Sequence, residues 1–138
     1  MSEDYKIRWG WLKAMYIYTI VGAGGFGVGM LIMPEWMKKM FAWPANEPVA
    51  FGILGSIFVA SGLLSILGLR SPLKFAPVFL FQLFYKSVWF IAVVLPLLLT
   101  GHFPGYALPF VLIFASYIIG DLIAIPFHYI FTKESKQN

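Results

Sequence analysis

Apolar and polar residues do not alternate along this chain; they fall in blocks. Apolar runs at about 11–33, 49–69, 75–99 and 106–130 are separated by links rich in polar and turn-forming residues. Each run reaches the roughly 20 residues an α-helix needs to cross about 30 Å of hydrocarbon. A period-two pattern is missing, and in lipid only helices and closed barrels satisfy every backbone group. The pattern therefore predicts an all-α integral membrane protein, a four-helix bundle forming one domain over residues 1–138.

The links refine this picture. "LRSPLK" (Leu69–Lys74) reads as a tight turn, with Pro72 placed to open the third helix. "TGHFPG" (Thr100–Gly105) is a second short link of turn residues. Short links favour antiparallel neighbours, hence an up-down-up-down order. The link "PEWMKKMFAWPANEP" (Pro34–Pro48) is longer, and Trp36, Met37, Met40 and Phe41 recur in it at helical spacing, with Lys38 and Lys39 off that face. A short amphipathic helix lying in the interface explains that spacing; a loop with aromatic anchors is the plainer alternative.

Small residues point to the faces that pack. The first run contains "GAGGFGVG" (Gly22–Gly29), in which Gly25 and Gly29, and also Ala23 and Gly27, stand four apart. The second run carries Gly52, Ser56 and Ala60 every fourth residue, with Ser61 and Ser65 one step round. Such faces let helix backbones approach closely in lipid. The glycine run is not a phosphate loop, because it lacks the preceding strand and the lysine.

Composition agrees with the blocks. Apolar residues make up 60% of the chain and charged ones 12%, against about 25% in soluble domains. With no cysteine, disulfides and thiolate metal sites are excluded. The net charge of +4 comes from residues scattered beside the apolar runs, which fits anionic lipid headgroups better than nucleic acid. Glu3 and Asp4 precede the first run, which is longer than a signal-peptide core, so it reads as a retained span. If the spans alternate, Lys6, Arg8, Lys13, Arg70, Lys74, Lys133 and Lys136 share one side, opposite Lys38 and Lys39. By the positive-inside rule both termini are then cytoplasmic.

Within the third run, "FLFQLFYKSVWFIAVVLPLLL" (Phe79–Leu99), Lys86 places a full charge in hydrocarbon. An unpaired lysine at such depth costs about 2.5–3.5 kcal/mol on insertion scales. The other formal charge deep inside a run is Asp121, in "ASYIIGDLIAIPFHY", Lys13 standing at the edge of the first run. Lys86 lies about 18 Å from the inner end of its helix and Asp121 about 14 Å from the end of its own, if that helix continues to Ile130. Cα–Cβ bonds lean toward helix N-termini, so in an antiparallel hairpin the two heads lean together. A Lys86–Asp121 ion pair facing the interior is the expectation. Gln82 stands four before Lys86 and Tyr117 four before Asp121, while Trp89 and Val93 continue the first stripe and His128 the second. Tyr16, Thr19, Ser56 or Ser61 could complete a polar interior whose apolar walls would be Phe81, Phe84, Trp89 and Phe90.

The expected site is thus Lys86, Asp121, Gln82, Tyr117 and Trp89, serving either as architectural glue or as a ligand or proton site. No activated serine or cysteine and no HExxH pattern is present, so no catalytic residue emerges. His102 and His128 stand too far apart to share a metal. Catalysis, if any, would run inside the bundle or in an oxidoreductase-associated complex. Three functions suit this pattern. The first is binding of a small lipophilic or anionic molecule, such as a quinone or a lipid. The second is a non-catalytic accessory subunit, with a membrane-complex partner or a second copy of the chain. The third is a proton-conducting or transporting oligomer, the least favoured because no inverted repeat is evident.

The length, the glycine-rich first span, the "GILGSIFVASGLLSILGLRSP" second span ending in a basic turn and the short final link resemble the DoxX-like group of small four-helix bacterial membrane proteins. The resemblance covers most of the chain and implies a bacterial inner-membrane location. Some relatives in that group are linked to quinone-coupled oxidoreductase complexes, and many have no assigned role. It supplies no catalytic residue, and "FQLFYKSVW" and "GDLIAIPF" are the segments most particular to this chain.

Overall fold

A computed structural model describes residues 7–44 and 48–134. Lys6 and Lys136 of the charge pattern, with Glu3 and Asp4, lie outside them. Among the described residues four helices are long and apolar enough to span a bilayer: α1 (Trp9–Ile32), α3 (Pro48–Arg70), α4 (Pro77–Leu99) and α5 (Gly105–Ala124). Two short helices, α2 (Pro34–Met40) and α6 (Phe127–Phe131), follow α1 and α5. No strand is present among the described residues. The protein is an all-α, multi-pass membrane protein.

Proline sets most of the starts. Pro34, Pro48 and Pro77 occupy the first helical positions of α2, α3 and α4, where a missing N–H costs nothing. Pro77 rather than Pro72 opens α4, because residues 71–76 form a run of turns whose Pro72 carbonyl accepts the Tyr16 hydroxyl at 2.6 Å. α4 ends on Gly101 at φ +74°, where the His102 N–H bonds the Leu97 carbonyl and the Gly101 N–H bonds that of Leu98. That double closure requires a left-handed residue, which glycine supplies without strain.

The fourth span stops earlier than the apolar run. Ile125 leaves the helix at φ −64°, ψ 126°, and the chain resumes only as the single-turn α6. Pro126 is the cause: it lacks an N–H and pushes the residue before it out of the α region. Asp121 therefore lies in the last turn of α5, its carbonyl accepting the Ile125 N–H at 2.8 Å. The Arg8 guanidinium reaches across to the Ile123 carbonyl at 2.8 Å and closes the same helix end.

α1 packs on α3 and α5, and α4 packs on α5. The α1–α3 seam is made by glycine: Gly27 of the expected Ala23/Gly27 pair lies in it, together with Gly24, Gly55 and Gly62, which the expected pairs did not include. A Cβ on Gly62 would lie 2.8 Å from the Gly24 Cα, and one on Gly27 would lie 2.6 Å from the Gly55 carbonyl oxygen. Gly25 and Gly52 face open space, and Ser56 and Ala60 are exposed, so that stripe faces outward. Of the expected small residues, Ala23, Gly27, Gly29, Ser61 and Ser65 are buried. Toward the Arg8 end, Gly68 makes room for the Tyr16 ring and Gly120 for the Met15 sulfur.

Two π-helical turns interrupt the spans, Ile20–Gly24 in α1 and Phe90–Val94 in α4. Each adds a residue to one turn and rotates the rest of its helix. In α4 the residue buried at the end of the turn is Val94, and Val93 faces out. α2 forms where an amphipathic helix is expected, with a different face inward. Met37 and Lys38 are buried, Lys38 lying over the Phe51 ring at 5.1 Å, whereas Trp36 and Met40 are exposed.

Candidate functional site

Lys86 sits on the inward face of α4 and is 1% exposed. Its ammonium does not meet Asp121. It donates to the Tyr85 hydroxyl at 3.1 Å and lies over three rings, 4.3 Å from the Tyr117 centroid, 4.5 Å from Tyr85 and 5.1 Å from Phe114. Asp121 is fully buried, yet neither carboxylate oxygen has a hydrogen-bond partner. The expected ion pair is thus replaced by an aromatic cage.

Register explains the difference. The ring contacts of Lys86 with Tyr117 and of Trp89 with Phe114 (5.2 Å) set Lys86 level with Tyr117, which places Gln82, not Lys86, level with Asp121. Asp121 lies one turn away from Lys86, and the lysine ammonium rests against the Tyr117, Tyr85 and Phe114 rings instead. A ring face offers a cation about 0.5–1 kcal/mol at an exposed site and about 2 kcal/mol or more where water is excluded.

The cage is braced from α1. Tyr18 stacks on Tyr117 with centroids 4.3 Å apart, and the Tyr117 hydroxyl donates to the Tyr18 carbonyl at 3.1 Å. The Tyr18 hydroxyl pairs with Ser116 at 2.6 Å. Gly22 is required here, since a Cβ at that position would collide with the Tyr117 hydroxyl. That braced Tyr117 ring is held flat beneath the ammonium.

A cleft of about 240 Å³ opens onto the cage, lined by Lys86, Tyr85, Phe114, Tyr117, Phe26 and Phe58 among others. A second, almost wholly apolar cleft of about 490 Å³ shares Phe58, Tyr85, Phe110 and Phe114 with it. That second cleft runs along α4 past Trp89 and Leu97 to Phe103 in the link before α5 and Tyr106 in the first turn of α5, and Trp43 also lines it.

The expected residues therefore divide. Lys86 and Tyr117 form the cage, and Trp89 lines the adjoining cleft. Gln82 and Asp121 lie deeper on the same two helices, and neither has a hydrogen-bond partner. Phe81 and Phe84 point outward and are not walls of the site. His102 and His128 are both exposed. A spacing of four along each helix does not reach Tyr85 or Phe114, because Tyr85 adjoins Lys86 in the chain and wraps round it. The aromatic density of "FQLFYKSVW" was the available signal.

Comparison of the chain with family models, with curated proteins and with solved structures finds no match in any of the three. Fold and site define the class on their own terms: a multi-pass helical membrane protein with a buried lysine in an aromatic cage.

Proposed function

We propose that this protein binds a small lipophilic molecule carrying a hydrogen-bond acceptor or an anionic group, such as a quinone head or a lipid-like compound, at Lys86. The carrying observation is the ammonium on the floor of the 240 Å³ cleft, ringed by Tyr85, Phe114 and Tyr117. An ammonium has three donors, and one of them goes to Tyr85. Ligand sites are typically apolar clefts with a few directed polar groups, and this cleft has that make-up. The up-down-up-down order, the cytoplasmic placement of both termini and the bacterial inner membrane belong to the same proposal, supported by the charge asymmetry of the links. The DoxX-like resemblance favours a quinone-type head within this class.

The alternative use of Lys86 and Asp121 as a clasp between helices has no bond to rest on, since the Asp121 oxygens have no hydrogen-bond partner. Thermal unfolding of the purified protein with added short-chain quinones and phospholipids tests the proposal. A compound of this class should raise the midpoint for the wild type and lose that effect in Lys86→Met, with helicity unchanged by circular dichroism. A lipophilic series with no such effect, or an equal effect in Lys86→Met, rules the site out.

A further inference from the structure

α3 and α4 are consecutive and joined by a short link, yet they make little contact with each other. Two clefts of about 490 Å³ each take the place of that packing. One lies toward Lys74, between Ile57 and Leu64 of α3 and Pro77 and Phe81 of α4. The other lies toward Trp43, between Leu54 and Phe58 of α3 and Val88 and Ala92 of α4. They differ in their relation to Lys86. The first shares no lining residue with the cage cleft, whereas the second shares Phe58, Tyr85, Phe110 and Phe114 with it. No charged side chain lines the second cleft, so the cage opens from one ammonium onto aliphatic and aromatic walls.

Aromatic rings close the far end of this second cleft. Trp43 meets Phe51, Tyr106 and Phe110 edge-on, with ring centroids 5.9, 5.6 and 5.8 Å away. Its backbone N–H bonds the Lys38 carbonyl at 2.8 Å, and Ala42 before it takes φ +52°, a left-handed conformation that alanine rarely adopts. The link between α2 and α3 thus holds an indole over the end of the cleft. Tryptophan and tyrosine favour the level of the lipid headgroups, so Trp43 and Tyr106 mark the interface, while Lys86 stands near the middle of α4.

Size then selects the occupant. Leu97, which lines the cleft, stands eleven residues beyond Lys86, about 16 Å along the helix. Spread over that length, 490 Å³ averages about 30 Å² in cross-section, well below that of a helix about 10 Å across. A helix of a second copy does not fit such a slot, and an extended hydrocarbon chain does. Bulk lipid offers a chain nearly the same apolar surroundings, so transfer alone gains little. A chain attached to a head already held at Lys86 enters the cleft as an intramolecular step, at high effective concentration, and displaces unattached chains.

We infer that the ligand of the Lys86 cage is a single-chain amphiphile whose hydrocarbon chain lies in this cleft, between α3 and α4, with its end under Trp43. The inference rests on the reading of Lys86 as the group that holds the head. It adds the class of ligand: one long chain on an anionic or acceptor-bearing head, as in a fatty acid or an alkyl quinone. The shared lining residues also give the chain its direction, toward Trp43 and away from the cleft beside Lys74.

The test is photolabelling of the full chain in detergent micelles with two probes, palmitate and a decyl benzoquinone, each carrying a diazirine on its last chain carbon. Peptide mass spectrometry should find the label on Leu97, Phe103 or Trp43, reduced about tenfold or more in Lys86→Met. Ala92→Trp, which fills the cleft from an exposed position of α4, should remove it as well. Labelling by one probe alone supports the inference and identifies the head as anionic or quinone. A Lys86-dependent label on Leu64 or Phe81, or on the outward Ile91 or Leu99, overturns the chain's placement and leaves the head at Lys86 standing. Label that Lys86→Met does not reduce marks ordinary lipid chains and overturns both. No cleft label from either probe, as when a second copy covers the cleft, overturns the inference, and so does a cleft label that Ala92→Trp retains. Should Lys86→Met fail to fold, the position of the wild-type label and its response to Ala92→Trp decide.

Discussion

A lysine ammonium inside hydrocarbon needs a substitute for each water it leaves behind. At Lys86 the substitutes are one hydroxyl and three ring faces, from Tyr85, Phe114 and Tyr117. Tyr85 contributes twice, as acceptor and as ring, so its hydroxyl can be separated from its ring by substitution. Hydrogen bonds to charged groups contribute about 1.5–3 kcal/mol, and Tyr85→Phe should cost that much in the wild type. In a Lys86→Met background the ammonium is gone and the same change should cost close to nothing. A double-mutant cycle read by denaturant unfolding in mixed micelles measures the coupling directly. Additive costs would mean that Lys86 does not draw on the Tyr85 hydroxyl.

Between elements, the sharpest constraint is the glycine seam of α1 and α3. A methyl on Gly27 would meet the Gly55 carbonyl oxygen at 2.6 Å and the Val59 nitrogen at 2.8 Å. Both are backbone atoms and cannot rotate away, so the helices would have to separate. Gly27→Ala should therefore cost about 1–3 kcal/mol, as overpacked sites do. Gly25→Ala and Gly52→Ala place a methyl where nothing lies within 4 Å, and each should be neutral or gain up to about 1 kcal/mol of helix propensity. Unfolding midpoints of the three variants, compared in one detergent, give the ordering; a Gly27→Ala variant as stable as Gly25→Ala would remove the seam from the account.

The same seam shows what the residue pattern could carry. Span number and approximate limits were legible because hydrocarbon demands long apolar runs, and the helices 9–32, 48–70 and 77–99 match three runs within two residues at each end. The inward faces were less legible. Gly25 and Gly52 satisfy a small-residue spacing as well as Gly27 does, whereas Gly55, flanked four residues away by Phe51 and Val59, satisfies none, and only the packed geometry separates them. The π-helical turn at Phe90–Val94 exchanged Val93 for Val94 in the interior, a change that fixed 3.6-residue spacing cannot anticipate. Pro126 stood in plain view, but the apolar residues on both sides concealed the break that leaves Asp121 in a terminal turn. Lys86, Gln82 and Asp121 stand out because charge and amide are rare in such runs; which of them touch depends on a one-turn register that composition does not encode.

For the whole molecule, the arrangement of charge gives the bilayer placement a direct test. Val21 and Ile32 of α1, Ile53 and Leu63 of α3, Ile91 and Leu99 of α4, and Leu112 and Ile119 of α5 are all well exposed, so every long span turns apolar surface outward. Lipid accounts for that surface. Arg70 and Lys74 flank the α3–α4 link, Arg8 and Lys13 begin α1 and Lys133 follows α6, whereas the link between α4 and α5 carries neither Lys nor Arg. A native chain without cysteine makes single-cysteine labelling clean. With alternating spans and cytoplasmic termini, Ser71→Cys and Thr132→Cys should react with a membrane-impermeant maleimide only in inside-out vesicles, and Thr100→Cys only in right-side-out ones. If Ser71→Cys and Thr100→Cys label from one and the same side, α4 does not cross. The Lys86 cleft would then have to be argued without a bilayer around it, because the cost of leaving that ammonium unsatisfied is a property of hydrocarbon.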